Sequence, residues 1–216
     1  GNGLIGQYFL ASGGGINGLT YAQVFDMSRF QGARIDPSIN FLKDNVPFWQ
    51  QPFFPSDDFG TDTAVRWIAY LTPPATGTYT FYINANDRAR LTINGTVLNT
   101  NFNWVASPCC SEMTAAQTIA LTAGVQYTFQ FDYGDAGNDT NVYLKWQSTG
   151  AGVAKNFVPA SAFKPALDAN DNGYLDVCET VDCNGNGIPD IVDVGECDGS
   201  PWCSDCNGNC IPDGCD

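Results

Sequence analysis

The chain has 216 residues, a formal net charge of −14, no histidine and a hydrophobic content of 44% against 15% charged. That balance belongs to a folded chain and excludes disorder along its whole length. The acidic excess excludes nucleic acid as a partner, since phosphate binding needs lysine and arginine, and no apolar run is long enough for membrane insertion as a helix.

The charge divides the chain in two. Residues 1–165 carry 9 basic and 11 acidic side chains, whereas residues 166–216 carry 12 acidic and no basic ones. The expected organisation is a folded domain over 1–165 and an acidic, cysteine-rich tail over 166–216. No apolar leader precedes Gly1, so any secretory signal is expected to have been removed.

From the N-terminus, the first domain reads as short alternating segments. Tyr79-Thr80-Phe81-Tyr82-Ile83, Leu91-Thr92-Ile93 and Tyr127-Thr128-Phe129-Gln130-Phe131-Asp132-Tyr133 alternate, and Val142-Tyr143-Leu144-Lys145-Trp146 follows. Turn signals separate them at Pro73-Pro74, Thr76-Gly77, Asn94-Gly95, Ala123-Gly124 and Gly134-Asp135. Asn94-Gly95 predicts a two-residue hairpin turn, because both positions need positive φ. No long helical stripe interrupts this pattern, so the fold class is all-β, a sandwich or barrel.

These residues resemble a known family. Gly3-Leu4-Ile5-Gly6-Gln7-Tyr8-Phe9 is similar to the opening strand of PA14 domains. The resemblance runs on through Val65-Arg66-Trp67, Gly77-Thr78-Tyr79, Asn86-Asp87, Arg90-Leu91-Thr92-Ile93-Asn94-Gly95, Tyr143-Leu144-Lys145-Trp146 and Val158-Pro159. It implies a β-sandwich found in adhesins, toxins and sugar-processing proteins, where it binds glycans or docks partners. Glycan-binding members hold calcium with two adjacent aspartates, and the metal grips sugar hydroxyls. The matching pair here is Asn86-Asp87, which keeps both oxygen donors but loses one charge. The loop with Asp135, Asn138 and Asp139 offers further oxygens. The plainer reading has Asp87 capping a turn and Asp135 solvating a loop.

Three other features stand out. Pro47 to Pro55 holds four aromatic residues between prolines, a stacking platform or a loop folded over the core. Cys109-Cys110 clamps a loop or bridges to the tail. Asn94 and Asn138 each open a glycosylation sequon, although the hairpin turn already accounts for Asn94.

The tail repeats an oxygen-ligand pattern three times. The first copy has Asp168, Asn170, Asn172, Asp176 and Glu179 at positions 1, 3, 5, 9 and 12, with the Tyr174 carbonyl at position 7. The second has Asp182, Asn184, Asn186, Asp190 and Asp193, with the Ile188 carbonyl. The third has Asp205, Asn207, Asn209, Asp213 and Asp216, with the Ile211 carbonyl. Calcium takes six to eight hard oxygens from such a loop, and glycine at position 6 permits the sharp turn. Gly173 and Gly187 fill that position, while the third copy has Cys210. Two residues separate Glu179 from Asp182, too few for the flanking helices of an EF-hand, and Pro189 and Pro212 oppose them further. The pattern resembles thrombospondin type 3 repeats, which implies loops wrapped on calcium with little regular structure.

Seven of the nine cysteines lie in this tail. Disulfides are expected ahead of zinc, because Cys203-Ser204-Asp205-Cys206 has no histidine to complete a site and alternates with calcium-type oxygens. An odd count leaves one thiol free or joined to another chain. The sequence therefore predicts an extracellular protein with calcium as cofactor: three ions in the tail and one more in the PA14-like domain. No catalytic histidine exists and an enzyme is not expected. The leading expectation is an adhesive or structural protein that assembles with copies of itself into a fibre or matrix. The alternative is a calcium-dependent carbohydrate-binding module with glycans as partners.

Overall fold

The computed structural model describes residues 2–10, 16, 19–42, 63–86, 88–99, 111–135 and 141–165. In chain order the elements are β1 (Leu4–Leu10), α1 (Tyr21–Val24), β2 (Phe30–Asp36), β3 (Asn40–Phe41), β4 (Thr63–Leu71), β5 (Gly77–Asn86) and β6 (Arg88–Ile93). They continue with β7 (Thr96–Val97), β8 (Met113–Thr114), β9 (Ile119–Leu121), β10 (Tyr127–Gly134), β11 (Asn141–Ser148), β12 (Val153–Phe157) and β13 (Phe163–Pro165).

The strands form two antiparallel sheets. The first runs β2-β1-β4-β10-β6-β7, with β13 also on β4; the second runs β12-β11-β5-β8, with β3 on β11 and β9 on β5. Alternation decides which side of each strand is buried, because successive side chains point to opposite faces. In β4, Val65, Trp67, Ala69 and Leu71 are buried while Arg66, Ile68 and Tyr70 are half-exposed. In β11, Val142, Leu144 and Trp146 are buried, and Tyr143, Lys145 and Gln147 are half-exposed. The inner faces of both sheets close on one core of mostly aromatic residues.

Trp67 is fully buried there, stacked on Phe41 with ring centroids 5.4 Å apart. Its indole N–H donates to the buried Asp36 carboxylate at 2.6 Å, which also accepts from Tyr8 at 2.7 Å and Arg34 at 2.8 Å. Burial pushes the Asp36 carboxyl up, against the pull of Arg34 and its donors. Gly6 is needed beside this group, since a Cβ there would run into the Asp36 carboxylate and come within 3.0 Å of the indole nitrogen.

The Asn94-Gly95 turn joins β6 to β7 as expected, with φ of +49° and +74° and Ile93 paired to Thr96. The first sheet has a cover on its outer face. Thr20 and Gln23 form a capping box that starts α1, and Val24 and Phe25 pack with Phe9, Ile16 and Ala64 in a second apolar cluster. Tyr21 reaches across to donate to Asp132 of β10 at 2.5 Å, and Arg66 of β4 donates to the same carboxylate at 2.7 Å. Burial raises the Tyr21 phenol, and the Asp132 charge adds to that. Burial lowers Arg66, but Asp132 outweighs it and holds the guanidinium above its ordinary value.

Candidate functional site

At one end of the sandwich, β5 leaves the second sheet at Asn86 and the chain re-enters the first sheet at Arg88. Asn86 pairs with Asn141, the first residue of β11, and Gly134, the last residue of β10, pairs with both Ala64 and Arg88. Five strand ends meet here, so residues far apart in sequence share one rim.

Tyr133 joins the two sheets at this rim. Its hydroxyl donates to the Asn86 carbonyl at 2.6 Å and lies 3.3 Å from the Asp135 carboxylate. One hydroxyl carries one proton, so the shorter contact takes most of it. Asp135 is fully buried, Asn86 is buried, and the Asp135 N–H donates to the Thr63 carbonyl at 2.8 Å. The Thr63 hydroxyl oxygen, also buried, meets no hydrogen-bonding partner among the described residues. The groups that these contacts gather are oxygens, the Asp135 carboxylate, the Asn86 backbone carbonyl and the Tyr133 hydroxyl, which suit a hard cation such as calcium and not zinc.

The structure therefore brings together Asn86 and Asp135, two of the five residues expected at this site. Asp87, Asn138 and Asp139 lie outside the described residues. So do the eighteen ligand positions of the tail, Pro47 to Pro55, and Cys109 and Cys110. Among the described residues no group of three or more His, Cys, Asp or Glu side chains forms a metal site. Asn94 is exposed in its turn. Thr63 and Tyr133 were not singled out from sequence. Their signal was positional: Tyr133 and Asp135 are two apart at the end of β10, on one side of the strand.

Residues 28–155, more than half of the chain, match the family described as the PA14 domain. The chain belongs to the PA14 family. Over 156 residues, 72% of its length, it is 31% identical to the anti-sigma-I factor RsgI3 of Acetivibrio thermocellus, but it spans only 22% of that relative. Among solved structures, an anti-sigma factor domain-containing protein is 28% identical with a TM-score of 0.58, covering 76% of this chain and 48% of that one. The PA14 sugar-binding domain of an RTX adhesin shares the fold at 17% identity and a TM-score of 0.55, covering 76% of this chain and 99% of that one.

Elsewhere, this PA14 domain has a groove of about 360 Å³ at the opposite end of the sandwich, between Pro73, Pro74, Trp146 and Pro159. Among the described residues no charged side chain lines it; Thr72 and Ser161 are its polar side chains. The outer face of the second sheet is different. Glu112 pairs there with both Lys145, at 2.9 Å, and Lys155. Burial acts to raise the Glu112 carboxyl, but the hydrogen bonds from Lys155 and Lys145 prevail and hold it below its ordinary value. The Lys155 ammonium sits 3.7 Å from the centre of the Tyr82 ring, and Lys145 lies over Tyr143 and Phe157 at 4.6 and 5.0 Å. Among the described residues no helix is long and apolar enough to cross a membrane.

Proposed function

We propose that this chain is a non-catalytic, extracellular carbohydrate-binding protein whose sugar site is the rim where Asn86 and Asp135 meet. The observation that carries this is the junction itself: Tyr133 ties the Asn86 carbonyl and the Asp135 carboxylate into one buried, oxygen-only cluster. Calcium held by Asp135 and the side chains of Asn86 and Asp87, with Asn138 and Asp139 completing the shell, would accept two vicinal sugar hydroxyls as its remaining ligands. The fold shared with a sugar-binding adhesin domain supports this reading. The regulatory role named for RsgI3 belongs to a protein of which this chain spans only a part.

In the tail, the three Asp/Asn loops would take one calcium each and the cysteines would form disulfides, making a rigid acidic extension of the thrombospondin type 3 kind. Assembly into a fibre rests on the odd cysteine alone, and stands behind sugar binding for that reason. The test is a glycan array probed with the whole chain in millimolar calcium and again in excess chelator. The reading expects a small set of related glycans bound only with calcium. An empty array, or one unchanged by chelator, would count against it.

A further inference from the structure

We infer that the outer face of the second sheet is a binding track for an uncharged saccharide chain, continuing from the rim along β11 and β5. This rests on the sugar-binding reading above. Asn86 and Asn141 pair at the rim, and the next outward-facing pair down the same face is Asn84 and Tyr143, followed by Tyr82 and Lys145, then Thr80 and Gln147. From Asn141 to Gln147 this track is about 20 Å long at strand rise, enough for several pyranose rings end to end.

Unsatisfied acceptors occur on it. Asn40 of β3 and Asn84 of β5 flank Tyr143 in one row across the sheet. The amide oxygens of both are buried and, among the described residues, meet no donor, while the Asn84 side chain also bonds the Tyr143 hydroxyl. Asn84 is 3% exposed. Two acceptors without donors, beside an aromatic ring, fit a ligand rich in hydroxyl groups. The rings fit the same ligand: Tyr82, Tyr143 and Phe157 are half-exposed, and each carries a lysine ammonium against its face. A sugar's C–H face can take the place of an ammonium there, with Lys155, itself 40% exposed, swinging outward from its pair with Glu112.

The charge selects a neutral chain. Both lysines are already held by Glu112, so this face offers a polyanion no uncompensated lysine pair.

The experiment is calorimetric titration of the whole chain in calcium with neutral gluco-, xylo-, manno- and galacto-oligosaccharides of two and six units, and with polygalacturonate. In at least one series the six-unit sugar should bind at least about tenfold tighter than the two-unit sugar. Tyr82→Ala and, separately, Gln147→Ala should remove that difference while leaving the two-unit affinity unchanged. Lys155→Ala should leave six-unit binding equal or tighter. The inference is overturned if length has no effect, if no neutral series binds, if both variants keep the difference, or if polygalacturonate alone binds and Lys155→Ala abolishes it. Failure of the rim looks different: six-unit binding sensitive to Tyr82→Ala would persist in Asp135→Asn, and the track would stand without the metal site.

Discussion

The two outer faces of this sandwich carry opposite solutions to the same problem. Both consist of half-buried strand positions, and both include arginine or lysine beside tyrosine. On the first sheet the polar groups converge: Asp132, with no exposed side-chain surface, accepts from Arg66, Tyr21 and Gln130, and α1 packs above them. On the second sheet they remain in contact with solvent, with Glu112, Lys145 and Lys155 all 22–40% exposed. A sealed network specifies structure, because each member is costly to remove. An open one contributes little to stability and is available for binding.

The contrast should appear first in stability. Arg66→Ala leaves the Asp132 carboxylate buried with its charge uncompensated, and should cost about 3 kcal/mol in urea unfolding, the low end for breaking a buried pair because Tyr21 and Gln130 still donate. Tyr21→Phe removes one donor from the same carboxylate and should cost roughly 1–2 kcal/mol. On the open face, Glu112→Gln should cost at most about 0.5 kcal/mol after solvent screening, and that difference should vanish in molar salt. A loss of several kcal/mol from Glu112→Gln would erase the distinction between the faces.

Stability against pH sharpens the comparison further. Burial raises Asp36 above its ordinary value near 3.8, so the folded chain holds that proton more tightly than the unfolded one. Its contribution is full below 3.8 and is lost as pH rises through the folded value. Glu112 is lowered from 4.5, so its contribution is present above 4.5 and is lost as pH falls through the folded value. Denaturation midpoints of wild type, Asp36→Asn and Glu112→Gln across the acid range should therefore diverge with opposite slopes, the Glu112 effect being the smaller because the group is only partly buried.

Much of the fold was legible in the sequence because a period of two is a local signal. Strands β5, β6, β10 and β11 follow the alternating segments, and the Asn94-Gly95 turn needed only its own two residues to be read. The cover on the first sheet was not legible. Thr20-Tyr21-Ala22-Gln23 is a capping box, but a four-residue helix has no apolar stripe to announce it, and Tyr21 meets Asp132 across 111 positions of chain. The site divides in the same way. Asn86 and Asp135 stood out through the family resemblance, whereas Thr63 and Tyr133 join them only through the pairing register of β4 with β10. That register depends on the whole core.

The central claim is that Asp135 at the rim holds the metal that binds sugar. Chelator would also act on the calcium proposed for the tail, so the decisive comparison is wild type against Asp135→Asn, titrated in the same calcium buffer with whichever glycan the array selects. The account predicts a loss of affinity of at least about tenfold, roughly 1.4 kcal/mol, with the far-ultraviolet spectrum of the sandwich retained. Equal affinity in a folded Asp135→Asn would contradict it, and would move the sugar site away from the rim.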